Sequence, residues 1–433
     1  MKKVFIYNEG CNLRGLDARN MQNYFLKNNF RIIKNPKEAD YIIFYTCSFS
    51  TTKGSECLNL ISFFKKFDAE LIVAGCLPAI QPEQLSKIFN GKIIKTEDLK
   101  QHPEKVDKLF PDNKIKYNDI NDSNIEFENF FKIKTIGKIN QKIFRSTINP
   151  KQIYKILLEK FYIKIKIHIL KNLLGENSGI LNYYYTLQER PPYHLRISWG
   201  CTGNCTYCGI KKAIGSHVSK PLDICLSEFK EGIKLGYKDF YIESEDTGPY
   251  GLDIGSSLPE LLDKLIKIEG DYNFFIEGLS PLWVVKYLDQ LEELVKRGKI
   301  KLMLCAFQSG SSRILKLMKR YNDVEIIKEA YLRLMKADPN LVLFPHIIIG
   351  FPTETEEDLE KTLLFIKDLD FNSGNYFPFS CIAGTEAEKI NQKIPQDIIK
   401  KRMKYVKKFL KKAGYRTINL HYISVFYKKT GKK

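Results

Sequence analysis

The sequence predicts an α/β protein built from two parallel-sheet units joined by a segment of different composition. Short apolar runs alternate with helical patterns over residues 1–100, and the same rhythm returns over residues 191–387. Strands separated by helices favour parallel sheets that are covered on both faces. A basic insertion over residues 101–190 separates the two units, and a basic extension over residues 388–433 follows the second.

Three predicted strands of the first unit are each followed by a cysteine. The carboxyl ends of parallel strands meet at one edge of an open sheet, so three thiols placed there can come together. We therefore expect a metal site formed by an N-terminal cysteine trio, and helical spacing over Asp17–Asn28 predicts the first covering helix. The strands are Lys3–Tyr7, Tyr41–Tyr45 and Leu71–Ala74, and the trio is Cys11, Cys47 and Cys76.

The second unit contains strand candidates at regular intervals, with helical patterns between them. Such βα repeats fit a partial parallel barrel, whose chemistry lies at the carboxyl ends of the strands. The strand candidates are residues 194–200, 238–244, 273–279, 301–307, 342–349 and 374–379.

A second trio of cysteines, the loop trio, follows the first barrel strand as Cys201-x3-Cys205-x2-Cys208. Three thiolates this close together can surround one metal centre. Zinc prefers four ligands, and only His217 and Cys225 are loose candidates for the fourth. An iron–sulfur cube held by three thiolates leaves one iron open to an outside ligand. The spacing favours the cube, with zinc as the alternative.

The formal net charge of +19 is concentrated in two segments. Residues 131–172 carry eleven Lys and Arg against one acid, and residues 400–433 carry thirteen and no acid. Concentrated basic surface is the electrostatic footprint of a polyanion partner. The alternative is compositional, because lysine is abundant along the whole chain.

Cysteine usage and hydropathy suggest where the protein works. Its ten cysteines lack the paired spacing of a disulfide framework and suit a reducing cytosol. No secretion signal is visible, and no apolar stretch reaches the ~18 residues that span a bilayer. We therefore expect a cytoplasmic protein with no membrane partner. The cysteines outside the two trios are expected to be packing residues: Cys57, Cys225, Cys305 and Cys381.

The strand, the cysteine loop and the six-strand barrel together resemble the radical S-adenosylmethionine (SAM) superfamily. The resemblance implies a [4Fe–4S] cluster on the loop trio, with SAM bound to its free iron and cleaved to a 5′-deoxyadenosyl radical. The cofactor carries this chemistry, and the protein orients it and excludes side reactions. Tyr207 is implied to lie against the adenine of SAM, with ordinary loop packing as the alternative.

A narrower resemblance, over about residues 1–100 and 191–390, is to the methylthiotransferases. Within them, the chain is most similar to the branch acting on threonylcarbamoyladenosine in tRNA. The segments that carry this resemblance are Gly10-Cys11, Tyr45–Ser48, Ala74–Leu77, Ser244–Gly255, Gln308–Arg320 and Ile349–Thr355.

This family resemblance assigns roles to residues and a fold to the chain. It implies that the N-terminal trio binds an auxiliary [4Fe–4S] cluster that holds the sulfur to be delivered. It implies a flavodoxin-like N-terminal domain followed by a partial (β/α)6 radical SAM barrel. Ser244, Glu245 and Asp246 lie where the family contacts the amino group of SAM, with a helix-capping loop as the alternative, and for Gly350 the alternative is ordinary turn geometry. The implied SAM contacts are Tyr207, Ser244, Glu245, Gln308 and Gly350.

Three features depart from the family pattern. The RNA-binding TRAM domain expected after the barrel is not recognised in residues 388–433, and the 101–190 segment is unusually long and basic. Arg14 and Tyr45 stand where asparagine is usual. These departures bear on the substrate, because the family's usual means of binding tRNA is not recognised.

The sequence therefore predicts a radical SAM methylthiotransferase that inserts a methylthio group at an unactivated C–H bond of a modified adenosine in tRNA. The alternative substrate is a peptide or protein side chain, modified by the same or a related radical sulfur insertion. Another radical SAM reaction and a metal-stabilised nucleic-acid-binding protein are the remaining interpretations. The expected partners are tRNA or a peptide, and a reducing electron donor such as flavodoxin or ferredoxin.

Overall fold

The computed structural model describes residues 1–120, 192–420 and 423–428. The basic segment 131–172 and most of the predicted insertion at 101–190 lie outside the described residues. Within the described ranges, no helix combines the length and the apolarity needed to cross a membrane.

The N-terminal unit is a parallel sheet in the order β2-β1-β3-β4-β5. This is the strand order of the flavodoxin-like fold, which the family resemblance implied for this domain. Phe5 and Phe44 pack on one face and Val4 and Ile43 on the other, because successive side chains of a strand point to opposite sides. The strands are β1 (Lys3–Asn8), β2 (Arg31–Ile32), β3 (Tyr41–Thr46), β4 (Glu70–Gly75) and β5 (Ile93–Lys95).

Helices cover both faces of this sheet. Ser50 caps α2, because its side chain accepts a hydrogen bond from the Lys53 amide. Val106, Phe110 and Tyr117 pack into the core under α1, so residues 101–120 pack onto the N-terminal sheet. The helices are α1 (Asn12–Lys27), α2 (Thr51–Phe64), α3 (Leu77–Ile80), α4 (Pro82–Ser86), α5 (Asp98–Gln101) and α6 (Glu104–Leu109).

The second unit contains the six predicted parallel strands in the order β13-β12-β11-β10-β9-β6. The short antiparallel pair β7 (Ser198–Trp199) and β8 (Val218–Ser219) flanks the cysteine loop. The partial barrel predicted from the sequence is therefore confirmed. Its strands are β6 (Tyr193–Arg196), β9 (Asp239–Glu243), β10 (Asn273–Leu279), β11 (Ile300–Gln308), β12 (Val342–Ile349) and β13 (Ser373–Pro378).

Amphipathic helices pack their apolar faces on the outside of these strands. Thr355 and Asp358 begin one of them with a reciprocal capping box. The helices are α7 (Lys211–Ile214), α8 (Leu222–Lys234), α9 (Leu258–Ile266), α10 (Pro281–Lys286), α11 (Leu288–Lys296), α12 (Ser312–Leu317), α13 (Val324–Ala337) and α14 (Glu356–Leu369).

The predicted basic extension contains a helix and a hairpin. Helix α15 spans Gln396–Lys412, and strands β14 (Tyr415–Leu420) and β15 (Ile423–Lys428) add antiparallel to β13. Val425 and Tyr427 pack with alternate side chains of β9 to β12, on the face turned away from the helices. The hairpin therefore completes the inner core of the barrel.

Candidate active site between the two units

The N-terminal trio follows three neighbouring strands. Cys11 and Cys76 immediately precede helices α1 and α3, and Cys47 directly follows β3. Burial raises the pKa of Cys11 to about 11, and the neighbouring Cys76 thiol contributes. Burial also raises the pKa of Cys47, with contributions from Cys11 and Cys76. The three thiols are therefore close enough to interact, as the strand positions predicted.

Cys11 combines two properties that are usually opposed. Its side chain has accessible surface, yet surrounding protein atoms desolvate the thiol. A side chain in a recess has both properties. Cys11 therefore lies in a recess of the protein surface that surrounds the thiol without covering it.

The loop trio lies between β7 and α7. The Gly203 amide donates to Cys201 Sγ over 3.2 Å, and the Cys208 amide donates to the Cys205 carbonyl over 3.1 Å. Burial raises the pKa of Cys201 to about 12, and the Asp246 carboxylate and the other two thiols contribute. The loop backbone thus holds the three thiols near one another.

Neither trio forms a site for a single ion. Among the described residues, no group of three Cys, His, Asp or Glu side chains could hold one metal ion. Zinc draws its ligands to about 2.0–2.3 Å from one point, whereas the thiolates of an iron–sulfur cluster bind separate irons. Thiols that do not converge on one point are compatible with cluster ligands.

The two trios meet across the contact between the units. Cys76 and Cys201 belong to one apolar cluster, together with Ile80 of the N-terminal unit and Ile214 and Ile382 of the barrel unit. Two cluster sites at these positions would face the same junction. The apolar side chains around them limit access of water to it.

Arg320 is a half-buried cation beside the loop trio that sequence reasoning missed. Its Nη1 donates to Cys205 Sγ over 3.3 Å and to the Tyr207 hydroxyl over 3.4 Å, and its Nη2 donates to the Ala306 carbonyl. Burial lowers the pKa of Arg320, but Tyr207 and Cys205 raise it further, so the guanidinium stays charged. The only sequence signal was its place at the end of the Gln308–Arg320 motif.

Asp246 lies against the same loop. Its Oδ2 accepts hydrogen bonds from Trp283 Nε1 over 3.3 Å and from Cys201 Sγ over 3.8 Å. Burial raises the pKa of Asp246 to about 6, against hydrogen bonding from Trp283. Among the described residues, its Oδ1 is buried without a hydrogen-bond partner, and so is Gln308 Oε1. Buried polar atoms normally have partners, so these two oxygens suit a polar ligand such as SAM.

Several predicted SAM contacts lie at the carboxyl ends of the barrel strands. Ser244 follows β9 and shares a 2.7 Å hydrogen bond with Ser198. Gln308 ends β11 with a φ of 72°, and Gly350 follows β12. Tyr207 packs against the apolar cluster at this end, which includes Phe351. These residues therefore lie at the carboxyl rim of the barrel, where the active site of such a fold is expected.

Gly350 and Glu245 make other contacts within the chain. An added Cβ at Gly350 would lie 2.6 Å from Ile399 Cγ1, so the close neighbour there is a protein side chain. The Gly350 amide donates to Glu354 over 3.1 Å. Glu245 accepts hydrogen bonds from Arg14 and from the Gly200 amide. These contacts give both residues structural roles at the site.

Comparison with known proteins assigns this architecture. Residues 195–366 match the Radical SAM superfamily, and residues 3–94 match Uncharacterized protein family UPF0004. A probable threonylcarbamoyladenosine tRNA methylthiotransferase of Methanocaldococcus jannaschii is 28% identical over 414 residues, which are 95% of this chain and 84% of the relative. The chain belongs to the radical SAM methylthiotransferase family. Its cofactors are SAM and two [4Fe–4S] clusters, as in the rest of this family.

Relatives of this methylthiotransferase differ in the substrates for which they are named. The threonylcarbamoyladenosine tRNA methylthiotransferase of Thermotoga maritima is 33% identical over 237 residues, 53% of each chain. The ribosomal protein uS12 methylthiotransferase of Carboxydothermus hydrogenoformans is 28% identical over 408 residues, 92% of this chain and 80% of the relative.

A solved structure shares the fold. The radical SAM methyltransferase TsrM from Kitasatospora setae aligns with a TM-score of 0.56 at 11% identity, covering 89% of this chain and 77% of that one. The likeness supports the two-unit fold class predicted from the sequence.

Proposed function

We propose that this methylthiotransferase modifies an adenosine derivative in tRNA. The observation that carries the proposal is the junction at which Cys76 and Cys201 share one apolar cluster, because it brings both cysteine trios to one place. Sulfur insertion at a carbon needs a radical source and a sulfur source that both reach that carbon. The named activities of the archaeal and Thermotoga relatives favour tRNA as the substrate.

We assign the loop trio to the radical SAM cluster and the N-terminal trio to the auxiliary cluster. When bound, these groups supply the 5′-deoxyadenosyl radical that abstracts hydrogen and the sulfur that replaces it, with a second SAM as the methyl donor. The chain itself positions and shields them. Arg320 places a cation beside Cys205, and the apolar cluster around Cys76 and Cys201 restricts water.

We propose that SAM binds at the carboxyl rim of the barrel, over the loop trio. The unpartnered oxygens of Asp246 and Gln308 can accept hydrogen bonds from its amino group. Ser244 and the backbone after β12 at Gly350 lie on the same rim, and Tyr207 offers a ring for the adenine. Fixed hydrogen-bonding groups in a site that excludes water bind a charged ligand more strongly than the same groups would in water.

Helix α15 offers a surface for tRNA phosphates. Ile399 packs on Gly350 and Arg402 pairs with Glu354, so this helix begins beside the carboxyl rim of the barrel. A row of its lysines is exposed, and cations on a substrate-proximal surface bind nucleic acid by releasing counterions. These lysines are Lys400, Lys401, Lys404, Lys407, Lys408, Lys411 and Lys412.

Cysteine usage supports a reducing compartment. None of the ten cysteines forms a disulfide, and Cys57, Cys225 and Cys305 are buried packing residues, as expected, whereas Cys381 is partly exposed. We therefore propose the cytosol as the location and a flavodoxin or ferredoxin as the electron donor.

The deciding experiment compares tRNA from cells with and without the gene, together with reactions of the anaerobically reconstituted enzyme. We expect one nucleoside to gain an SCH3 group in place of a hydrogen, detected by mass spectrometry of tRNA digests. A Cys11→Ala/Cys47→Ala/Cys76→Ala variant should retain SAM cleavage to 5′-deoxyadenosine but make no methylthio product. Unchanged nucleosides in both assays would refute the tRNA assignment.

A second candidate substrate is a protein side chain. The observation that favours it is the 28% identity to a ribosomal protein uS12 methylthiotransferase over 92% of this chain. Incubating the reconstituted enzyme with uS12 and digesting the product separates the two candidates. A mass gain on a peptide, with unmodified tRNA, would favour the protein substrate.

A further inference from the structure

Buried charges, and not only apolar side chains, form the contact between the two units. Arg196 of β6 reaches the first two turns of α1, where its Nη1 lies 2.7 Å from Asp17 Oδ1 and its Nη2 donates to the Leu13 carbonyl over 2.6 Å. Asn12 donates to Glu243 at the end of β9 over 3.1 Å. Arg196 and Asp17 are almost fully buried, with side chains 2% and 3% exposed.

One carboxylate in this contact joins the surroundings of both cysteine trios. Glu245 Oε1 accepts a 2.9 Å hydrogen bond from Arg14 Nη2, and Glu245 Oε2 accepts one of 3.1 Å from the Gly200 amide. Arg14 Nη1 lies 3.8 Å from Cys76 Sγ, and Gly200 immediately precedes Cys201. A path of three contacts therefore leads from an N-terminal thiol to the start of the cysteine loop.

We propose that Arg14 and Glu245 are a positioning pair that fixes the N-terminal trio relative to the loop trio. The inference rests on the proposed function, in which both trios carry clusters that serve one substrate carbon. It gives Glu245 a role in addition to the SAM contact predicted from the sequence, because its two carboxylate oxygens accept hydrogen bonds from Arg14 and from the Gly200 amide.

The physics of buried ion pairs explains why such a pair would set geometry. Apolar surfaces can slide over one another at little cost, whereas a guanidinium has planar, directional donors. Arg14 also lies 2.8 Å from Asp17, which pairs with Arg196, so a shift of either unit would leave buried charges uncompensated. The network therefore has one favourable arrangement.

The backbone at Gly200 adds rigidity at the barrel end of the path. Gly200 has a φ of 74°, and an added Cβ would lie 2.1 Å from the Ser216 carbonyl oxygen. The amide that Glu245 binds is thus held in a closely packed turn. A displacement of Glu245 would be transmitted to Cys201 and not absorbed by a flexible loop.

The test measures the geometry of the two clusters in reconstituted protein without substrate. We would compare wild type with Glu245→Gln, Arg14→Met and the double variant, using the magnetic coupling between the reduced clusters in EPR spectra. Glu245→Gln keeps the size of the side chain and removes its charge, so it isolates the ion pair from folding. We expect altered coupling in each single variant, with both clusters still bound by iron analysis.

A second readout follows methylthio product formed per 5′-deoxyadenosine released. Moving the reacting groups by about an ångström can lower a reaction rate by up to about 100-fold. We therefore expect the ratio of methylthio product to 5′-deoxyadenosine to fall about 10-fold or more in each single variant. If the two residues act as a unit, the double variant should be no worse than the more affected single variant. A residue that contributed to stability alone would not change this ratio below the unfolding temperature.

Arg297→Gln is the matched control, because Arg297 forms an exposed 2.8 Å ion pair with Asp263 within the barrel unit. It should leave both readouts unchanged. Wild-type coupling in the Glu245 and Arg14 variants would overturn the inference. Loss of the auxiliary iron in folded variants would also overturn it, because the pair would then be needed for cluster binding and not for spacing. Wild-type protein that binds fewer than two clusters would instead contradict the proposed function.

Discussion

Replacing Gly350 by alanine separates two effects at the rim of the barrel. The residue has a φ of +86°, and an added Cβ would lie 2.6 Å from Ile399 Cγ1 on α15. A left-handed conformation costs a non-glycine residue about 1–2 kcal/mol, and overpacking a tight contact costs about 1–3 kcal/mol. We expect Gly350→Ala to lower the free energy of unfolding of the barrel unit by about 3 kcal/mol.

Gly236 provides the matched control for backbone strain. It has nearly the same φ, +84°, but no atom of the residues that the structure describes lies within 4 Å of the position of its Cβ. Gly236→Ala should therefore cost only about 1–2 kcal/mol, the strain alone. In an Ile399→Ala background, Gly350→Ala should approach that smaller value, because the clashing side chain is gone.

The assay uses the two tryptophans of the chain. Trp199 and Trp283 both belong to the barrel unit, so fluorescence during urea unfolding reports this unit selectively. Equal losses of stability in Gly350→Ala and Gly236→Ala would refute the reasoning. So would an unchanged effect of Gly350→Ala in the Ile399→Ala background.

Three further predictions concern pH, the cysteine loop and tRNA. Burial raises the pKa of Glu354 from 4.5 to about 7 despite the Gly350 amide and Arg402. Since the folded state then holds its proton more tightly, the stability of the barrel should fall by up to about 3 kcal/mol between pH 4.5 and pH 7 and level off above it. In urea titrations, Glu354→Gln should remove this dependence of stability on pH. A variant with the same pH profile as wild type would contradict the prediction. Arg320→Met removes a charge-assisted contact worth about 1.5–3 kcal/mol, so 5′-deoxyadenosine formation should fall about 10-fold or more with iron content retained. Arg320→Lys should recover part of the 5′-deoxyadenosine formation. Full activity in Arg320→Met would exclude a role for the Arg320 charge in SAM cleavage. Lys404→Gln/Lys408→Gln should reduce the slope of log affinity for tRNA against log salt by about 2, and an unchanged slope would place the phosphates elsewhere.

The strands of both units were predictable because their signal is local. Continuous apolar runs bounded by polar residues identify buried parallel strands, and β10 and β12 have the predicted bounds. The positions of the cysteine trios followed from strand ends, since a parallel sheet brings such ends together. The short strands β2 and β5 were missed because two or three residues carry too little pattern.

Features made by contact between distant segments could not be read from the sequence. The first helix was predicted from Asp17, but it begins at Asn12. Its first two turns are largely polar and resemble a loop, although Arg14 and Asp17 are buried against the barrel. Pairing with Arg196 and Glu245, more than 170 residues away, is what stabilises those turns. A local pattern contains no information about such partners.

The basic extension illustrates the same limit. Its lysines predicted a surface for a polyanion, and α15 exposes seven of them, but their abundance obscured the alternation of Ile423–Lys428. That alternation places Val425 and Tyr427 in the inner core and leaves their neighbours facing the helices. A count of charges over the whole segment does not reveal side chains that alternate between two faces with a period of two residues.

The hairpin that completes the inner core has a consequence for the order of events during synthesis. Val425 and Tyr427 leave the ribosome about 220 residues after the cysteine loop, a delay of about 10–40 s at ordinary elongation rates. Throughout that interval the nascent barrel has an unfilled interior. Iron and sulfide delivered early would therefore meet thiols on an open, half-built scaffold, whereas later delivery would have to pass a closed one.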